Sequence, residues 1–314
     1  MDTTQGSRTL PGGARARALA GRYLCIGIVA AGLAAGCGDV NAALGQLSEA
    51  RRLSADLLIK FTKAADASSR AVMADTDERS VTYAHEADEA KQAVQKDMDS
   101  LGPMLQGLRY ADETRLLQEF ATRFAEYTKL DRQILDLAVE NTNLKAQRLS
   151  FGPGQAAADA FRDALEAVGP SAPAKDAWRV KALIATATGA VREIQVLQAP
   201  HIAEAQDASM TSLEKRMSGA EAVARNALAT LQTLIEPGSQ PKLTTATSAL
   251  DRFMDLNAQI IALSRRNTNV RSLALSLDQK QKLIAPCEKS LRALGDALAT
   301  HAIRVGRFNS GHGP

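Results

Sequence analysis

The sequence predicts an all-α protein: a long antiparallel up-down four-helix bundle made of two repeated helical hairpins. The first observation is an internal repeat, because Asn141 to Ser150 (NTNLKAQRLS) returns as Asn267 to Ser276 (NTNVRSLALS). The second is a composition that is 45% hydrophobic but only 4% aromatic, which is typical of long helices packed through thin Ala and Leu layers. The third is that no stretch alternates polar and apolar residues as a strand does.

The first segment, residues 1–37, has the pattern of a secretory targeting sequence. Arg15, Arg17 and Arg22 precede an apolar run of about a dozen residues, shorter than the ~20 that a transmembrane helix needs. The run ends in small residues before Cys37 and resembles the lipobox of bacterial lipoproteins, in which the cysteine carries the lipid. An uncleaved membrane anchor and ordinary secretion stay open. All three place the rest of the chain in the cell envelope, facing the periplasm.

The body of the chain divides at its Gly- and Pro-rich segments. We expect a first helical hairpin at 38–168, a linker at 169–175, a second helical hairpin at 176–305 and a disordered tail at 306–314. Each hairpin pairs two long helices, since helices of this length are not stable alone and need a partner to cover their apolar faces.

The spacing of apolar residues places four helices in these two hairpins. They are predicted at about 40–108, 111–168, 176–235 and 243–303. Gly152-Pro153-Gly154 is expected to break or kink the second of them, because proline removes a backbone donor and clashes with the preceding turn.

Two asparagines are predicted to lie on the core-facing seam of the bundle. Counting in alternate steps of four and three from Leu130 reaches Asn141, and the same count from Leu256 reaches Asn267. A polar residue at such a position costs stability and often fixes helix register. On this interpretation, Asn267→Leu is expected to stabilise the fold.

A second interpretation makes the asparagines part of a ligand site between the helices. Amide and guanidinium groups near them would bind an anionic small molecule. The candidate ligand-binding residues are Gln133, Asn141, Arg148, Gln259, Asn267 and Arg271. Exposed charges on a helix usually belong only to its solvated face, so both interpretations stay open.

Parts of the chain resemble the four-helix-bundle sensor domains of bacterial methyl-accepting chemotaxis receptors, including their helical bimodular relatives. The resemblance lies in the stretches Ala64 to Arg79 and Asp97 to Leu105 and in the two Asn-Thr-Asn elements. The resemblance implies an extracytoplasmic, membrane-anchored sensor, usually a homodimer, that binds a small organic acid or amino acid between its helices. The sequence shows no second transmembrane segment and no signalling hairpin. Such a module is therefore expected to be unable to signal alone and to need a receptor partner.

The alternative function is a structural or scaffolding envelope lipoprotein that acts through protein-protein contacts. An enzyme is not predicted, because the four histidines are scattered and neither H-E-x-x-H nor C-x-x-C occurs. No cofactor and no metal site are predicted either. Nucleic acid is not an expected partner, since the formal net charge is only +3 and the charges are interspersed. Cys287 is expected to be a small packed residue.

Overall fold

The computed structural model describes the backbone of residues 17–309 and the side chains of residues 41–301. All secondary structure in that part of the chain is helical, and it contains no strand, which confirms the all-α prediction. The side chains of the predicted targeting segment 1–37, including Cys37, lie outside the described residues, as do those of the predicted tail 306–314. Among the residues described, no helix is long and apolar enough to cross a membrane.

Ten α-helices follow one another along the described chain. They are α1 (Arg17–Val72), α2 (Asp77–Gly107), α3 (Ala111–Glu140), α4 (Thr142–Leu149), α5 (Gln155–Glu166), α6 (Ala177–Ala203), α7 (Asp207–Leu234), α8 (Gln240–Arg266), α9 (Thr268–Leu275) and α10 (Gln281–Asn309). Short 3₁₀ turns at Gly169–Ser171 and Pro237–Ser239 join α5 to α6 and α7 to α8.

The first predicted helix, 40–108, is not continuous but folds back on itself. α1 ends at Val72 and α2 begins at Asp77, and the two helices pack against each other. The Thr76 side chain caps α2 by accepting a hydrogen bond from a backbone N–H of its first turn. Asp77 and Glu78 place negative charge at the positive end of the helix dipole. The prediction of one long helix was wrong because these N-terminal signals interrupt an otherwise good helix-forming stretch.

The third predicted helix, 176–235, is interrupted in the same way. α6 ends at Ala203, and α7 begins after a short turn. The Glu204 carboxylate accepts hydrogen bonds from the backbone N–H groups of Ala205 and Gln206, both at 2.8 Å, and so holds this turn. This prediction was wrong as well, and the chain forms two short hairpins, α1 with α2 and α6 with α7.

The predicted break at Gly152-Pro153-Gly154 is instead a π-helical turn, Ser150–Gly154, through which α4 runs on into α5. The wider π turn accommodates the missing N–H of Pro153. A second π turn of the same length, Ser276–Lys280, joins α9 to α10 although it contains neither Gly nor Pro. The repeat in the sequence is therefore also a repeat of local backbone geometry.

The helices pack as two groups of four. The first half consists of α1, α2, α3 and α10, and the second half consists of α5, α6, α7 and α8. Each half has its own apolar core. The segments from α3 to α5 and from α8 to α10 run through both halves. The predicted bundle of two long hairpins is therefore not confirmed in the form that the sequence suggested.

Aromatic side chains fill the core of the first half. The Phe61 ring is fully buried and meets the rings of Phe120, Phe124 and Tyr127 edge-on, with centroids 5.1 to 6.2 Å apart. Cys287 is buried in the same core, and this burial raises the pKa of its thiol to about 12. Its environment is that of a packed residue rather than a reactive thiol.

Candidate functional site

The two Asn-Thr-Asn elements meet where the α3–α4 and α8–α9 junctions cross. The hydroxyl oxygens of Thr142 and Thr268 lie 3.2 Å apart, and each accepts a hydrogen bond from the backbone N–H of the other residue, at 3.2 and 3.1 Å. Asn143 and Asn269 exchange a similar pair of bonds. Each of these contacts joins residues 126 positions apart. The crossing is therefore the pseudo-twofold axis of the repeat.

Asn141 and Asn267 end α3 and α8 in the left-handed backbone conformation, with φ of 51° and 53°. Asparagine tolerates this conformation better than most residues. The buried Asn267 amide donates to the Glu204 carbonyl and accepts from Asn143, both at 2.8 Å. The side-chain oxygen Oδ1 of Asn141 accepts a hydrogen bond from the side-chain amide of Asn269 at 2.8 Å, while the side-chain nitrogen Nδ2 of Asn141 has no partner within the described residues. These contacts favour the register interpretation of the two asparagines.

The other predicted ligand-binding residues do not gather at this crossing. Arg148 forms an ion pair with Asp77 at 3.1 Å. Arg271 and Gln259 are exposed on the α9 and α8 surfaces. Gln133 lines a groove on the first half. The structure therefore does not bring the six predicted residues together into one site, and only Gln133 lies beside a sizeable depression in the surface.

That groove runs between α2 and α3 and has a volume of about 860 Å³. Its apolar lining includes Met98, Phe124 and Leu135. Its polar lining carries three cations, two carboxylates and three amides: Lys91, Lys129, Arg132, Asp88, Asp136, Gln92, Gln95 and Gln133. Such a mixture of apolar surface with convergent polar groups is typical of small-molecule sites.

A buried carboxylate lies behind the groove. Asp131 is fully buried on α3 and accepts a hydrogen bond from Lys91, with 2.6 Å between Nζ and the carboxylate oxygen. Lys91 lines the groove and also pairs with Asp88 at 2.8 Å. The hydroxyls of Ser68 and Tyr127 donate to the other carboxylate oxygen of Asp131. Lys91 thus connects the groove with the charged interior.

A second buried lysine shares this interior. Lys280, at the end of the second π turn, is fully buried and donates to the hydroxyls of Ser68 and Ser69, at 2.9 and 3.1 Å. Burial lowers the pKa of Lys280 below that of an ordinary lysine. Two buried lysines therefore lie near one buried carboxylate: Lys91 contacts Asp131 directly, and Lys280 is linked to it through the Ser68 hydroxyl.

The equivalent positions in the second half are neutral. Asn257 replaces Asp131 and Met217 replaces Lys91, each 126 positions further on, and the asparagine amide contacts the methionine sulfur at 3.9 Å. The amide of Gln198 donates to Asn257 at 2.9 Å, as Ser68 donates to Asp131. Gly154 occupies the place of Lys280 in the first π turn. The repeated scaffold therefore carries these charges in one half only.

The second half has a different charged cluster, at the turn between α6 and α7. The buried ring of His201 contacts the hydroxyl of Ser264 through Nδ1 and the carboxylate of Glu214 through Nε2, both at 2.8 Å. Arg265 binds Glu214 through two hydrogen bonds, at 2.6 and 2.9 Å, and these lower the pKa of the carboxyl. Ser264 and His201 are fully buried, so this Ser-His-Glu combination has the features of a structural clamp.

Sequence reasoning missed Lys91, Asp131 and Lys280. A comparison of the two repeats at the spacing of 126 residues would have found them, because it places each charged residue opposite a neutral one. Among residues 41–301, no group of three or more His, Cys, Asp or Glu side chains could hold a metal ion.

Comparison with known proteins does not assign the chain to a family. No protein-family model matches the chain, and no curated protein matches it.

Proposed function

We propose that this chain is a chemoreceptor-like sensory module of the cell envelope that binds a small anionic or zwitterionic molecule in the groove between α2 and α3. One observation carries the proposal: buried charges lie directly behind a groove in the first half, while the same positions of the repeated scaffold are neutral in the second half.

Stability alone does not explain these charges. Replacing a buried ion pair by packed neutral residues is often neutral or stabilising, because desolvation of the charges offsets their attraction. The second half shows that this scaffold packs with Asn257 and Met217 in place of Asp131 and Lys91. Charged groups kept at a cost beside a cleft are a common feature of binding sites.

The groove offers complementary groups for a carboxylate. Lys129 and Arg132 form no ion pair with any residue in the described 41–301 region, so their charges are free to bind an anion. A guanidinium group binds a carboxylate through two parallel hydrogen bonds, and the Gln133 amide adds a neutral donor. Asp136 would accept the ammonium group of an amino acid.

The rest of the proposal comes from the sequence pattern. A lipid on Cys37, or an uncleaved anchor, would hold the module at the membrane with its helices facing the periplasm. We also propose that the chain arose by duplication of a helical unit, with the Asn-Thr-Asn elements at the crossing of the two copies. A homodimer or a separate receptor is the expected partner.

The test is a binding screen with a panel of carboxylates and amino acids. A bound ligand at about 100 times its Kd is expected to add roughly 2.7 kcal/mol to the free energy of unfolding, measured as a rise in melting temperature. Arg132→Ala and Lys129→Ala are expected to weaken binding about tenfold or more in calorimetry, because each removes a charge-assisted contact.

Arg271→Ala is the matched control for this screen, because Arg271 is an exposed arginine outside the groove. It is expected to bind the ligand as the unmodified protein does. The proposal is contradicted if no compound raises the melting temperature, or if Arg271→Ala weakens binding as much as Arg132→Ala.

A scaffolding role is the second candidate, and one observation favours it. Phe151 and Leu277 occupy equivalent positions on the two π turns and are 68% and 66% exposed. In a scaffolding protein, these two side chains would supply apolar contacts to a partner at equivalent places of the repeat. If no small molecule binds and Phe151→Ser disrupts self-association in sedimentation experiments, the scaffolding role replaces the sensory one.

A further inference from the structure

The hydrogen bonds of Lys280 match a neutral amine. An uncharged amine has two N–H groups, and Lys280 donates to two hydroxyls, those of Ser68 and Ser69. Both hydroxyls use their own protons elsewhere, since Ser68 donates to Asp131 and Ser69 donates to the Ala65 carbonyl. The third proton of an ammonium group would have no acceptor within the described residues.

The groove is linked to Lys280 by a continuous chain of contacts. Lys91, which lines the groove, binds Asp131, and Asp131 accepts from Ser68, which accepts from Lys280. The Lys91 charge disfavours a proton on Lys280, while the Asp131 charge favours it. The protonation of Lys280 therefore depends on the balance of charge around Asp131.

We propose that binding of an anion in the groove is coupled to the uptake of one proton by Lys280. This inference rests on the proposed function, since it concerns the same groove. An anion beside Lys91 offsets the lysine charge that opposes protonation of Lys280, and Asp131 is then left to balance the second lysine. The proton comes from solvent, and no covalent bond other than the N–H bond forms.

The charged groups that act on the buried Lys280 are Asp66 on α1, Lys91 on α2 and Asp131 on α3. Asp88 contacts Lys91, and Tyr127 contacts Asp131, so both act one contact further away. On the segment of Lys280 itself, Asp278 and Lys282 are exposed and pair with each other. Asp66 and Asp88 lie at the exposed edge of this set, where solvent screens them. Beyond burial itself, Asp131 and Lys91 are therefore the charged neighbours that affect Lys280 most.

Proton uptake would change the π turn that carries Lys280. A third N–H in this position needs an acceptor, so the side chain or the turn must move to supply one. The turn joins α9 to α10, and α9 begins at the central crossing. Anion binding between α2 and α3 would in this way change the packing of α10.

Titration calorimetry tests the coupling, with sulfate and succinate as the probe anions. Both are fully ionised above about pH 7, so they take up no protons themselves. The heat of binding is compared in buffers of different ionisation enthalpy, from about pH 7 to pH 10, which covers the range below the pKa of a free lysine. We expect uptake of up to about one proton per anion, and an affinity that falls up to about tenfold per pH unit where uptake is largest.

Lys280→Met is the decisive variant, and it is expected to bind the anion without the additional proton. Lys280→Gln, which keeps a hydrogen-bond donor but no titrating group, is the second variant if the methionine protein fails to fold. Lys282→Met is the matched control, because that lysine is 72% exposed two positions away. It is expected to keep the full proton uptake.

The outcomes separate the two proposals. No heat with either probe, together with no hit in the ligand screen, contradicts both the proposed function and the coupling. Binding to the unmodified protein without proton uptake, or an uptake that is unchanged in both Lys280 variants, contradicts the coupling alone and leaves the groove as the binding site.

Discussion

Asp131→Asn is expected to lower the free energy of unfolding by about 3 to 5 kcal/mol, the usual cost of removing one partner from a buried ion pair. The substitution leaves Lys91 without its buried carboxylate, which it contacts at 2.6 Å, and removes the charged acceptor of the Ser68 hydroxyl. Urea unfolding followed by circular dichroism measures the loss as a lower midpoint concentration.

The second half provides the control for this prediction. Asp131→Asn combined with Lys91→Met recreates the neutral pair of Asn257 and Met217, and it should regain most of the lost stability. Asn257→Asp alone should destabilise the second half, because it places an unpaired charge beside Met217. If the double variant is as unstable as Asp131→Asn, the charged and neutral clusters are not interchangeable, and stabilisation of the fold is enough to explain the buried charges.

Asn267→Leu is expected to destabilise the protein by about 3 kcal/mol, which reverses the sign that the seam position alone suggests. The left-handed conformation costs roughly 1–2 kcal/mol for most residues other than Gly, Asn and Asp. The lost amide also leaves its buried partners at Asn143 and Glu204 unpaired, at about 1–3 kcal/mol. Chemical unfolding measures the difference in free energy.

Asn267→Gly separates the two contributions to this loss. Glycine adopts the φ of 53° without strain, so the glycine variant should lose stability mainly through the missing hydrogen bonds. Its loss in free energy of unfolding should therefore be smaller than that of the leucine variant. A leucine variant that is as stable as the glycine variant would show that backbone strain plays no part. A leucine variant that is more stable than the unmodified protein would restore the expectation drawn from the seam.

The helical class and the repeat could be predicted from the sequence, but the path of the chain could not. Both missed turns, at 73–76 and 204–206, lie in stretches rich in good helix formers. Whether such a stretch stays straight or folds back depends on which apolar faces pair in the folded protein. Tertiary packing therefore decides the path of the chain, and local sequence does not. The acidic residues around Thr76 were the local signal for one of the two turns.

The candidate site was harder to predict for a related reason. A single Lys or Asp on an amphipathic helix usually belongs to the solvated face, so Lys91, Asp131 and Lys280 carried no signal by themselves. The seam count placed Asn141 and Asn267 in the interior, and they are buried there. It could not show their left-handed backbone, because a regular heptad count assumes an unbroken helix.

Methionine methyl groups offer the most direct test of the central claim that ligand binds in the charged half. Met98 lines the groove of the first half, and Met217 stands in the second half where Lys91 stands in the first. In spectra of protein labelled at methionine methyl carbons, a ligand from the screen is expected to shift the Met98 resonance and to leave that of Met217 in place. If the ligand shifts the Met217 resonance and leaves the Met98 resonance in place, binding in the charged first half is contradicted.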